Sequence, residues 1–109
     1  MTEMLIVFTT FANGEDAARV ARVLVDERLI ACANVIPGVR SIYRWEGKTA
    51  DEAEVMVVMK TRKQDWAALQ SRLSELHPYT TPECVAVRIA AGAPAYMTWL
   101  EESLAPETT

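Results

Sequence analysis

Apolar residues along this chain recur with two different periods, and the switches between them mark the structural elements. Met4 to Phe8 is a short apolar run ending in Thr9-Thr10, the pattern of a strand buried on both faces. Asn13 follows as a helix N-cap, with Asp16 three positions on and Glu15 in the first turn. From Gly14 to Arg28, Ala17, Val20, Ala21 and Leu24 recur at helical spacing, and Glu15–Arg19 and Arg22–Asp26 form i,i+4 charge pairs on the wet side. Ile30 to Glu46 reads as one long strand, interrupted at Pro37-Gly38 where a bulge or bend is expected. Past the bend it alternates, Val39, Ser41, Tyr43 and Trp45 against Arg40, Ile42, Arg44 and Glu46. Gly47-Lys48 supplies a turn, and Glu52 to Thr61 alternates again, so the two segments make a long β-hairpin.

A second helix is predicted from near Thr61, with Thr61 and Gln64 as a capping box. Trp66, Leu69, Leu73 and Leu76 mark its buried stripe, and Pro78 ends it, because the residue before a proline is pushed out of the helical region. Glu83 to Ala91 is a further strand, with Val85, Val87 and Ile89 alternating against Cys84, Ala86 and Arg88. Pro94 opens a last helix through Leu104, anchored by Tyr96, Trp99 and Leu100. Residues from Ala105 to Thr109 read as a frayed tail.

The order β-α-β-β-α-β plus a terminal helix predicts an α+β, ferredoxin-like fold, an antiparallel sheet with both main helices on one face. The second and fourth strands then lie at opposite edges. Cys32 and Cys84 fall on those edges, so a disulfide within the chain is not expected, since bonded cysteines need Cα atoms within about 7 Å. Both thiols are expected to be buried as small hydrophobes. The hairpin exceeds the roughly 5–6 residues usual for a strand, and its projecting half carries Ile42, Tyr43 and Trp45. A long edge bearing aromatics must be covered, and a closed ring of subunits removes every free edge. The pattern therefore predicts a homo-oligomeric ring, though not its copy number.

Composition narrows the class without naming a function. The 109 residues fit one domain over 1–109, with half of them hydrophobic and 24% charged. The net charge is −4 and no basic stripe occurs, which argues against a nucleic-acid partner. No apolar run approaches a membrane span; the longest, Val55 to Met59 among them, have five residues. The N-terminal residues lack the pattern of a signal peptide, so a cytoplasmic location is expected.

Two segments carry a resemblance to a known family. Pro37 to Lys48 (PGVRSIYRWEGK) resembles the P-G-x-x-S-x-Y-x-W-x-G-K hairpin of the CutA divalent-cation tolerance proteins, and His77 to Glu83 (HPYTTPE) resembles their H-P-Y-x-x-P-E segment. Ala31 to Asn34, Lys60-Thr61 and Tyr96 to Leu100 also follow the family pattern, and the resemblance runs from about Leu5 to Leu104. It implies a ferredoxin-like subunit in a tight homotrimer with hairpins reaching across to neighbours, similar overall to the trimeric PII signalling proteins. It further implies tolerance to copper and other divalent metals, with weak ion binding that folding does not require. The copper site of some members uses a cysteine at the end of the first strand and a His-His pair, where this chain has Thr9 and Leu76-His77.

The candidate metal ligands are thus His77, Glu83 and Cys32, the last arriving from another chain. Candidate cleft residues are Tyr43, Trp45, Glu46, Lys60, Tyr79 and Glu83. Structural readings stand beside these. His77 closes the second helix near its last carbonyls, Glu83 starts a strand, Tyr43 and Trp45 pack a trimer interface, and Lys60 pairs across strands with Glu54. Catalysis is not expected. The loop Thr9 to Glu15 has one glycine and no basic residue, unlike a phosphate cradle, and only His77 with Glu83 suggests an acid–base pair. The alternative function is a PII-like sensor or scaffold that binds an unidentified small molecule or a partner protein.

Overall fold

The computed structural model describes residues 2–106, so the end of the expected tail, 107–109, lies outside the described residues. The elements are β1 (Met4–Phe11), α1 (Gly14–Asp26), β2 (Cys32–Trp45), β3 (Lys48–Arg62), α2 (Trp66–Leu76), β4 (Val85–Arg88) and α3 (Pro94–Leu104). The sheet runs β2-β3-β1-β4 and is antiparallel throughout, so β2 and β4 are its edges, as the ferredoxin-like order requires. Cys32 lies on one edge, Cys84 just ahead of the other, and both are free and half-buried.

Alternation assigns each sheet face its role. Leu5, Val7 and Phe11 of β1 and Val55, Val57 and Met59 of β3 share the core with Ala17, Val20 and Leu24 of α1 and Leu69 and Leu73 of α2. Both main helices therefore cover one face. Cys84, just ahead of β4, and Ala86 on it pack against the core, while Val85 and Val87 are more than half exposed on the other face. That second face receives only α3, whose Leu100 and Leu104 pack on Met4 and Ala31 at one end. The expected anchors Tyr96 and Trp99 are instead exposed, and Leu104 with Met97 takes their place. Val85, Val87 and Ile36 leave the rest of this face apolar and open.

Local chemistry explains the boundaries. The Asn13 side chain accepts the Asp16 N–H at 2.8 Å and caps α1, and Arg19 pairs with Asp16 at 3.2 Å. Residues Pro37-Gly38 form the expected bulge, where the β2–β3 register shifts between Ile36 and Val39 and Gly38 takes φ 79°. The hairpin turn is tighter than predicted. Trp45 pairs with Lys48, and only Glu46 and Gly47 (φ 48° and 76°) connect the strands, the signature of a type I′ turn.

The start of α2 differs from the sequence expectation. Thr61 is not a cap; it is buried in β3 and its hydroxyl donates to the Leu29 carbonyl at 2.7 Å. A 3-10 turn, Lys63–Asp65, intervenes, and the Asp65 carboxylate is held by the Arg62 guanidinium at 2.7 Å. The side chain that patterning read as a helix signal is consumed by a tertiary bond.

Two buried threonines give a paired prediction. Thr61 has its partner, whereas the Thr9 hydroxyl, fully buried, has none among the described residues. Thr61→Val is expected to destabilise by about 1–3 kcal/mol, because the Leu29 carbonyl loses its donor. Thr9→Val is expected to be neutral or stabilising by up to ~1 kcal/mol, because an unpaired hydroxyl is replaced by a methyl. Urea unfolding of the two variants checks both signs.

Candidate functional site

β3 has 15 residues and β1 only 8, and the pairing of Phe11 with Val55 ends their shared ladder. Beyond that point the hairpin continues alone, giving the subunit extents of 51 × 28 × 23 Å. Residues 78–83, released from α2 by Pro78, pass across the gap. Between this segment and the hairpin lies a groove of about 780 Å³. Its walls include Tyr43 and Trp45 of β2, Glu52 and Glu54 of β3, and Tyr79 and Glu83 of the crossing segment.

His77 builds one wall without entering the groove. It is 6% exposed, stacked on Phe11 with ring centroids 4.2 Å apart. Its Nδ1 accepts the Tyr79 N–H at 3.1 Å, which makes Nε2 the protonated nitrogen, donating to the Thr10 carbonyl at 2.8 Å. This neutral imidazole clamps the crossing segment to the end of β1. The sequence reading had placed its ring near the last carbonyls of α2; the geometry aims it at β1 instead. With both nitrogens engaged by backbone, His77 has no lone pair to offer a metal and no free position as a general base.

Tyr79 completes the wall. Its hydroxyl donates to Glu54 Oε2 at 2.8 Å, and burial, then the Glu54 carboxylate, pushes the phenol far above its ordinary range. Burial, then the nearby Glu52 and Glu54, also raises the Tyr43 phenol. Both shifts report a partly desolvated, negative environment.

The structure divides the candidate residues between two places. Tyr43, Trp45, Tyr79 and Glu83 meet in the groove, and Glu46 sits in the hairpin turn outside its lining. Lys60 and Cys32 pair directly across β2 and β3 toward the other end of the sheet. There Lys60 donates to Asn34 at 3.4 Å and its ammonium lies 5.6 Å from the Tyr96 ring centre, so its expected partner Glu54 is replaced. The Cys32 sulfur is 3.9 Å from the Tyr96 hydroxyl. The proposed set His77, Glu83 and Cys32 is thus not assembled within one subunit. Among the described residues, no three His, Cys, Asp or Glu side chains converge to hold a metal ion. Sequence reasoning missed Thr10, Ser41, Glu52 and Glu54 as groove residues. The signal was present for Ser41, which alternates with Tyr43 and Trp45, but no local pattern pairs Glu54 with Tyr79.

The family model for the CutA1 divalent ion tolerance protein matches residues 5–103. The chain belongs to this family. The divalent-cation tolerance protein CutA of Thermus thermophilus is 43% identical over 98 residues, covering 90% of this chain and 95% of that protein. The CutA of Pyrococcus horikoshii is 42% identical over 99 residues, covering 91% and 96%. Among solved structures, CutA1 from Oryza sativa superposes with a TM-score of 0.93 at 35% identity, over 97% of each chain. The CutA hairpin and H-P-Y segment named from sequence are therefore the two walls of the groove.

The His77 clamp generates a pH prediction. Burial holds the imidazole below its ordinary value of 6.5, opposed in part by the Thr10 carbonyl and the Asp16 and Glu54 carboxylates. The unfolded chain takes up this proton near pH 6.5 and the folded one resists it, so stability is expected to fall as pH drops below about 6.5. The loss stops below the folded value. Urea unfolding between pH 7.5 and 5 should show that slope, and His77→Asn should flatten it.

Proposed function

We propose that the chain is a trimeric, non-catalytic divalent-cation tolerance protein that binds such ions weakly at the groove, with neighbouring subunits supplying the missing ligands. Family membership carries the reading. The lining supports it: three carboxylates and several hydroxyls offer oxygen donors, suited to harder divalent cations more than to copper(I). His77 is withdrawn from the ligand set by its two backbone bonds, which also favours a non-catalytic role. Trimer formation is supported by the open sheet face, where Val85, Val87 and Ile36 are half exposed, and by the hairpin, where Ile42 and Trp45 are 63% and 60% exposed.

Light scattering is expected to give three times the chain mass, and Val87→Glu to lower it. Calorimetric titration of Zn²⁺ and Cu²⁺ tests the ions. Glu54→Gln and Glu83→Gln should each weaken binding about tenfold, the equivalent of ~1.4 kcal/mol. His77→Asn should leave it close to wild type. Isotherms unchanged in both glutamate variants would remove the groove from this reading.

A second reading, a PII-like sensor or scaffold, is favoured by the volume of the groove, which falls within the ~300–1,000 Å³ of small-molecule sites. The two-residue Glu46-Gly47 turn leaves no long loop for partner engagement of the PII kind. Native mass spectrometry revealing a co-purified organic ligand would support this reading.

A further inference from the structure

Charge is sorted along the open face of the sheet. Lys60 stands near one end of β3 and Glu52 nearer the other, on the same face and about 26 Å apart at the rise of an extended strand. The two cannot meet within one subunit. Lys60 is half-buried, and its ammonium has only the 3.4 Å bond to Asn34 and the face of the Tyr96 ring. No carboxylate pairs with it among the described residues. An ammonium carries three donors, so a partly desolvated one with a single long bond gains from an anion brought to it. Glu52 has the converse lack: it lies against Tyr43, and no Lys or Arg pairs with it among the described residues.

Aromatic surface accompanies each charge. Tyr96 and Trp99, with ring centroids 5.7 Å apart, form an exposed ridge on α3 beside Lys60. They do not hold α3 in place, because Leu100 and Leu104 bury the opposite side of the helix on Met4 and Ala31. At the other end the hairpin presents Tyr43, also partly exposed, next to Glu52. The subunit thus has two different ends, one aromatic with an unpaired cation and one aromatic with an unpaired anion. Contact between like ends sets equal charges against each other. Contact between unlike ends is heterologous, the kind that closes into rings.

We propose that Lys60, Tyr96 and Trp99 form a receiving site for the projecting hairpin of a second copy, in which the partner subunit's Glu52 pairs with Lys60. The site is incomplete in one chain, since the cation and its carboxylate come from different copies. Tyr96 then lies between the two subunits, with Lys60 on its ring. The inference rests on the trimer reading and adds to it which two surfaces meet; it is independent of ion binding at the groove.

Sedimentation equilibrium of the full chain in chelator tests it through charge reversal. Lys60→Glu and Glu52→Lys should each raise the dissociation constant of the assembly about tenfold, and the double variant should recover to within about threefold of wild type. Because Lys60 is half-buried, Lys60→Met is a second variant that keeps its packing; its effect should vanish in a Glu52→Gln background. Trp99→Ala should weaken assembly about fivefold. A wild-type trimer whose stability ignores all these changes, or whose double variants lose the sum of the single losses, would overturn the receiving site while leaving the trimer intact. Wild-type mass equal to two chains would overturn the head-to-tail ring, because the same pairs made reciprocally close a dimer. A monomer would overturn both the site and the trimer reading.

Discussion

Much of this molecule follows from one mismatch in length: β3 runs nearly twice as far as its inner neighbour β1. A strand in the middle of a sheet needs hydrogen-bonding partners on both sides. Along the shared ladder from Met4–Arg62 to Phe11–Val55, β3 has β1 on one side and β2 on the other. Residues 48–54 keep only β2. The hairpin therefore projects, and the space vacated by β1 becomes the groove.

Residues 78–83 are the response to that vacancy. Pro78 stops α2 and sends the chain across the end of β1 rather than directly into β4. Three bonds then pin it: His77 joins the Thr10 carbonyl to the Tyr79 amide, and the Tyr79 hydroxyl reaches Glu54 on the projecting half of β3. Residues spread over β1, α2 and β3 become one wall. The histidine that invites a metal-ligand reading is better understood as the rivet of that wall. Its buried, neutral state is consistent with stacking on Phe11.

The open face of the sheet belongs to the same account. With α1 and α2 on one side and α3 covering only one end of the other, apolar residues such as Val85 and Val87 remain exposed. A small domain has few means to bury such a face alone, and association with further copies is the economical answer. Together with the aromatic hairpin, this face gives the proposed trimer a physical basis beyond family resemblance.

The sequence by itself determined the element order, the edge positions of β2 and β4, the bulge at Pro37-Gly38, the Asn13 cap and the extent of α3. These are set by local periodicity, proline and glycine geometry, and short-range hydrogen bonds, all written in neighbouring residues. The two motifs that carry the family resemblance also proved to be the two walls of the groove. What only the tertiary structure decided were the partners of single polar groups. Thr61 bonds Leu29, Lys60 turns to Asn34 and Tyr96, and His77 faces β1. Each looked locally like something else, a cap, an ion pair or a ligand. A polar side chain bonds to whatever donor or acceptor folding brings within about 3 Å, and across 25 to 67 residues of intervening chain no local pattern encodes that encounter.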